Sequence, residues 1–233
     1  MHIGLIGGIG VAATVVYYQR LAKAVTAGGG VLHLTIEHGD IYELIANNLA
    51  DRRMDQARAF APLVDRLVRA GCDCVALSSM GAHFCFAELQ AMSAVPLVSA
   101  VTPLDSFFAG QGLRRVGLLG TRVVMRTRLY GQLRRTEAVA LDDEIELIGQ
   151  TYQDVAVSGL CRPDQREVFL HSGRRMVETL GAEAIVLAGT DLNLAFDGQD
   201  PGYKVVDALD VHVAVLADLA LGRMDLAAVT QDS

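Results

Sequence analysis

Val75-Ala76-Leu77-Ser78-Ser79 is a short apolar run closing on two serines, and Ile185-Val186-Leu187-Ala188-Gly189 is its counterpart further along the chain. Each follows a helix-like run that ends in glycine, Arg69-Ala70-Gly71-Cys72-Asp73-Cys74 in the first case and Thr179-Leu180-Gly181-Ala182-Glu183-Ala184 in the second, with Gly71 and Gly181 standing 110 residues apart. A second pair keeps nearly the same spacing: Ile3-Gly4-Leu5-Ile6-Gly7 and Val116-Gly117-Leu118-Leu119-Gly120 set Gly7 and Gly120 113 residues apart. Two landmarks at almost one offset argue for an internal repeat.

Around these landmarks apolar runs alternate with amphipathic ones. Strands are expected at Ile3 to Ile6, Val31 to Ile36, Val75 to Leu77 and Val95 to Val98, with helices over Thr14 to Val25, Ala57 to Arg69 and Ala82 to Met92. Thr102-Pro103 reads as a turn. The second half repeats the rhythm with strands at Val116 to Leu119, Glu144 to Ile148 and Ile185 to Leu187, and helices around Thr127 to Leu133 and Asp164 to Leu180. This is the βαβ pattern of parallel sheets covered on both faces. The expected fold is α/β: two similar, pseudo-symmetric domains with mostly parallel sheets and an active-site cleft between them.

The chain of 233 residues is 52% apolar, enough for a substantial core. A net charge of −7 without a basic stripe argues against nucleic acid or an anionic membrane as partner. No apolar run approaches a membrane span, the last helix-like stretch, Val206 to Leu221, being broken by Asp207, Asp210 and Asp218. No signal-peptide pattern opens the sequence, so the cytosol is the expected compartment. Cys72, Cys74, Cys85 and Cys161 have neither zinc-ligand spacing nor the density of a disulfide framework, so free thiols and no metal are expected.

Several segments together resemble the aspartate/glutamate racemase family over nearly the whole chain. They are Gly4-Leu5-Ile6-Gly7-Gly8-Ile9-Gly10 with Tyr17-Tyr18, Ser78-Ser79-Met80-Gly81-Ala82-His83, Leu118-Leu119-Gly120-Thr121 with Met125, Thr127 and Tyr130, Ala188-Gly189-Thr190-Asp191, and Asp207 with His212. Members of that family carry Pro-Cys-Asn-Thr-Ala-His where this chain has Ser78 to His83, and Gly-Cys-Thr-Glu where it has Ala188 to Asp191. Both catalytic cysteine positions are therefore replaced, by Ser79 and Gly189. The resemblance implies a homodimer needing no pyridoxal phosphate or other cofactor, and a small carboxylate or amino-acid-like ligand. It also implies a terminal helix that returns to the first half. The first domain then comprises 1–102 plus 209–233, and the second 103–208.

In the resembled family two thiols flank the substrate Cα, one removing its proton as thiolate and the other reprotonating the opposite face. A thiol suits this work because part of it is ionised near neutrality. A serine hydroxyl ionises roughly five pH units higher, a cost on the order of 7 kcal/mol for forming the anion. Glycine offers no proton at all. The usual two-thiol exchange is thus excluded, and what the residues allow is one-sided chemistry using Ser79, Asp191 or His83 as catalytic candidates.

Candidate substrate contacts are Gly8, Ile9 and Gly10, whose strand-to-helix turn offers backbone N–H groups to a carboxylate, and Met80, Gly81, Thr121, Thr127, Gly189 and Thr190. Arg162 is a further candidate, with Arg52 and Arg53 in the loop after the second strand as alternatives. Each also has a plain reading: His83 and His212 as packed or capping histidines, Asp191 as a helix cap, the arginines as solvated surface.

Three functional readings stand beside one another: a racemase-type isomerase with diverged chemistry, a decarboxylase or lyase on the same scaffold, and a non-catalytic binding or regulatory protein for a small carboxylate. Gly8-Ile9-Gly10-Val11-Ala12-Ala13 also fits the dinucleotide fingerprint G-x-G-x-x-A, with Glu37 as the ribose contact. The matched second half is better explained by duplication.

Overall fold

The structure, a computed structural model, describes residues 1–230. The chain divides into two compact units, Met1–Pro103 with the segment that begins at Asp210, and Leu104–Leu209. Its elements in order are β1 (His2–Gly7), α1 (Val11–Ala27), β2 (His33–His38), α2 (Ile41–Leu49), α3 (Arg53–Arg69), β3 (Cys74–Leu77), α4 (Phe86–Met92), β4 (Leu97–Val98) and α5 (Thr102–Gly110). They continue with β5 (Arg115–Gly120), α6 (Arg122–Arg126), β6 (Glu137–Val139), α7 (Ile145–Ser158), α8 (Pro163–Leu180), β7 (Ala184–Ala188), α9 (Asn193–Phe196), β8 (Val205–Asp207), α10 (Ala208–Ala220) and α11 (Leu226–Thr230).

Each unit has one four-stranded parallel sheet, in the order β2-β1-β3-β4 and β6-β5-β7-β8. The same strand order in both halves is the repeat made visible. The central strands explain why: β3 and β7 are buried along their whole length, as continuous apolar runs covered on both faces must be. Edge strand β2, by contrast, alternates between half-buried and exposed residues and carries His33, Thr35 and Glu37.

Helical periodicity builds the covering layers. In α3 the buried residues Gln56, Ala57, Phe60, Leu63, Val64 and Leu67 recur at helical spacing, and Gln165, Phe169, Ser172, Gly173 and Met176 do the same in α8. Gly159 and Gly181 end α7 and α8 in the left-handed conformation at φ 67° and 66°, where a Cβ would be strained.

Several expected elements are corrected. Glu144 to Ile148 is not a strand but the cap and first turn of α7, because Ile145, Ile148, Tyr152 and Val155 form a buried helical stripe, and the alternation of five residues does not by itself distinguish the two. The edge strand is instead the three-residue β6. Thr102-Pro103 opens α5 rather than forming a turn, with Ser99 Oγ accepting the Val101 and Thr102 N–H groups at 3.1 and 3.2 Å. The helix expected around Thr127 to Leu133 gives way to α6 and a 3₁₀ turn, since Arg128, Leu129 and Tyr130 all have positive φ, between 52° and 60°. Val206 lies in β8, and the terminal helix starts at Ala208. No helix among the described residues is long and apolar enough to cross a membrane.

Candidate functional site

Ligands of parallel α/β sheets bind beyond the carboxyl ends of the strands, and in the first unit those ends are β1 and β3. After Gly7 the chain turns through Gly8 at φ 81° into α1. Thr14 locks this turn: its Oγ1 accepts the Gly8 N–H at 2.9 Å, donates to the Gly10 carbonyl at 2.8 Å and lies 3.3 Å from Ser78 Oγ. Gly8 therefore has no N–H to spare for a ligand, a correction to its expected role. The N–H groups of Ile9, Gly10, Val11 and Ala12 find no protein acceptor among the described residues, and Gly10 gives α1 no side-chain cap. A 17-residue helix with uncapped N–H donors and its positive dipole end at this turn is chemically able to receive an anion.

At the end of β3, Ser79 is extended and precedes the 3₁₀ helix Met80–Cys85. It is 4% exposed, and its hydroxyl makes no hydrogen bond among the described residues. His83 is fixed by backbone on both sides. Nε2 accepts the Ala100 N–H at 3.0 Å, which assigns the proton to Nδ1, and Nδ1 donates to the Ser79 carbonyl at 2.9 Å. The ring also stacks on Phe86, with centroids 5.2 Å apart. Burial pulls its pKa down to about 4. A neutral imidazole with both nitrogens engaged positions the strand end and has no nitrogen left to exchange a proton, which corrects its expected catalytic role. Met80 is fully buried, and the Gly81 carbonyl accepts from Asn48 Nδ2 at 3.0 Å.

His212 lies in the same unit, sharing a 2.8 Å hydrogen bond between Nδ1 and the Tyr17 hydroxyl, with the rings edge to face. Burial, then the proximity of His83, lowers its pKa to about 3. Nε2 has the Val98 backbone as polar neighbour without hydrogen-bond geometry. With the Arg20–Asp210 ion pair at 2.8 Å, this contact docks α10 on α1.

All four thiols have raised pKa values. Cys85 Sγ donates to the Ala82 carbonyl at 3.3 Å, and burial pushes its pKa up to about 12; Cys74 is pushed equally far by burial and by Asp73. Cys72 and Cys161 are also raised, each chiefly by burial.

In the second unit the strand ends are β5 and β7. Thr121 caps α6, accepting from the Val124 N–H. Thr127 donates to the Val123 carbonyl at 2.6 Å and accepts from the Tyr130 N–H at 3.0 Å, so it braces the left-handed turn instead of offering a hydroxyl to substrate. Gly189 sits against a residue that sequence reasoning misses: a Cβ built there meets Tyr152 Cε2 at 2.4 Å. The Tyr152 hydroxyl donates to Asp191 Oδ2 at 3.2 Å. Burial first, then the Asp191 charge, raises the phenol well above its ordinary pKa. Asp191 is fully buried, and Thr190, 1% exposed, has the Tyr152 hydroxyl as polar neighbour of its Oγ1 without hydrogen-bond geometry. No local signal marks Tyr152, an aromatic in a helical stripe that reads as core.

The arginines are engaged elsewhere. Arg162, at the start of α8, pairs with Asp164 through Nε at 3.2 Å and lies 62% exposed. Arg53 begins α3 and Arg52 lies in the loop just before it, bonded to Asp51 and Asn47 respectively. Glu37, the ribose candidate, pairs with Arg66 at 2.8 Å. Among the described residues no three His, Cys, Asp or Glu side chains gather to hold a metal ion.

Two parallel sheets of identical strand order, each with a glycine turn after its first central strand, define a duplicated α/β protein. The sequence profile described as Asp/Glu/Hydantoin racemase matches residues 6–216, and the chain belongs to that family. Among solved structures, a candidate Asp/Glu racemase from Yersinia pestis shares 24% identity, over 95% of this chain and 100% of that one, with TM-score 0.76. An aspartate racemase homologue from Pyrococcus horikoshii shares 25%, over 94% and 98%, at 0.71. Glutamate racemase from Francisella tularensis, solved with D-glutamate, has the same fold at 12% identity, over 95% and 81%, at 0.65.

Proposed function

We propose that the chain is a cofactor-independent isomerase of the racemase type, acting at the Cα of a small carboxylate-bearing substrate by chemistry that has diverged from two-thiol proton exchange. The observation that carries this reading is the uncapped start of α1, where four consecutive N–H groups lack acceptors among the described residues. A carboxylate held there has its charge offset, which lowers the cost of a carbanion at the adjacent carbon. The Ser79 hydroxyl, at the end of β3 in the same unit, supplies a polar contact. A cytosolic homodimer belongs to the same reading; Val11, Val15 and Tyr18, exposed at helical spacing along α1, support a self-association face.

A second reading, a carboxylate-binding protein without turnover, is favoured by Ser79 and Gly189 themselves, since neither position supplies a thiolate. One experiment separates the two. Amino acids, hydantoins and small dicarboxylates are incubated in deuterated water and Cα exchange is followed by NMR, beside thermal-shift binding to the same compounds. Exchange at Cα supports the isomerase, loss of carbon dioxide or an eliminated group assigns a lyase, and binding without product assigns the binder. Absence of all three refutes the carboxylate site.

A further inference from the structure

Glycine at position 189 is not a conformational requirement. Its φ of −139° and ψ of 116° are extended values open to any residue. The requirement is space: the three atoms nearest an added Cβ, at 2.4, 2.8 and 2.9 Å, all belong to the ring of Tyr152. That ring is not the loose end of a flexible chain, because it is 5% exposed and its hydroxyl is tied to Asp191. Even alanine at 189 must displace an anchored aromatic. At the equivalent strand end of the first unit, Ser79 keeps its side chain.

We infer that Tyr152 is the specificity-determining residue of the second unit's strand ends, its ring holding the volume a side chain at 189 would occupy and setting the size of the substrate group received there. The inference deepens the proposed function and rests on it. Two observations besides the steric fit carry it. Tyr152 covers the carboxyl end of β7, a central strand of its sheet, where such sheets receive ligands. Immediately after Gly189, Thr190 Oγ1 is buried with the Tyr152 hydroxyl as polar neighbour but without hydrogen-bond geometry, which leaves it able to take a better-placed partner. The phenol is held protonated, so Tyr152 offers a ring face and a neutral hydroxyl and is not a base. Selection by size is what remains for it.

The test uses the whole chain and two probes, aspartate and the bulkier 2-phenylsuccinate, with dissociation constants from calorimetry and melting temperatures from thermal unfolding. Gly189→Ala is expected to lower the melting temperature, and Gly189→Ala with Tyr152→Val to recover most of that loss. Tyr152→Ala is expected to shift the preference at least tenfold toward 2-phenylsuccinate, while Tyr152→Phe keeps the parent's preference for size. Additive melting effects of Gly189→Ala and Tyr152→Val overturn the pairing. An unchanged preference in a folded Tyr152→Ala variant overturns the specificity role alone. If the parent protein binds neither probe, nor any other small carboxylate, the functional reading falls and this one with it.

Discussion

His83 closes a hydrogen bond of 2.9 Å onto the carbonyl of Ser79, four residues before it, while its other nitrogen takes the Ala100 N–H. One neutral ring thus joins the end of β3 to the segment that leads into α5. His83→Phe keeps the stack on Phe86 but leaves a buried donor and a buried acceptor unpaired. The expected loss is about 2–4 kcal/mol, read from urea denaturation; a loss below about 0.5 kcal/mol contradicts this role.

Acid sensitivity follows from the same ring and from His212. Both have folded pKa values, about 4 and about 3, below the roughly 6.5 of an unfolded histidine, so the unfolded chain binds more protons between those limits. Their stabilising effect is complete above pH 6.5 and is lost as pH falls from there toward 4 and 3. Denaturation midpoints measured at pH 7.5, 6 and 5 are expected to decline stepwise, and the decline is expected to be shallower in His83→Phe. A flat profile over that range disproves the assignment.

Thr14 holds the glycine turn through two backbone contacts. Thr14→Val keeps the shape, removes both, and is expected to cost about 1–2 kcal/mol and to weaken carboxylate binding about tenfold. Thr14→Ser is expected to restore most of the binding. Equal affinities in calorimetry for all three proteins contradict the view that this hydroxyl organises the start of α1.

The thiols offer a fourth check. Cys161 is partly exposed, whereas Cys72, Cys74 and Cys85 are buried. A chromogenic disulfide reagent is expected to titrate one thiol in the native protein and all four in denaturant. Rapid native labelling at Cys85, located by mass spectrometry, contradicts the packing described for it.

Central strands are the most legible part of this chain, because β3 and β7 are buried on both faces and leave an uninterrupted apolar signature. Edge strands are not: β6 has three residues, and the alternating stretch Glu144 to Ile148 that follows it opens a helix. The site divides along a similar line. The positions of Ser79, Gly189, Thr190 and Asp191 just beyond β3 and β7 are legible because the apolar runs before them are. The commitments of the His83, Thr127 and Gly8 polar groups to neighbouring backbone depend on side-chain direction, which spacing does not report. Tyr152 lies 37 residues before Gly189 and meets it only in the folded unit.

The contact between Tyr152 and Gly189 also sets the order in which these two positions can accept change. Any residue larger than glycine at 189 arrives in a crowded spot while the aromatic stays in place. Room opens only after position 152 has shrunk, so a combinatorial library varying both positions is expected to return side chains at 189 only in company with a smaller residue at 152.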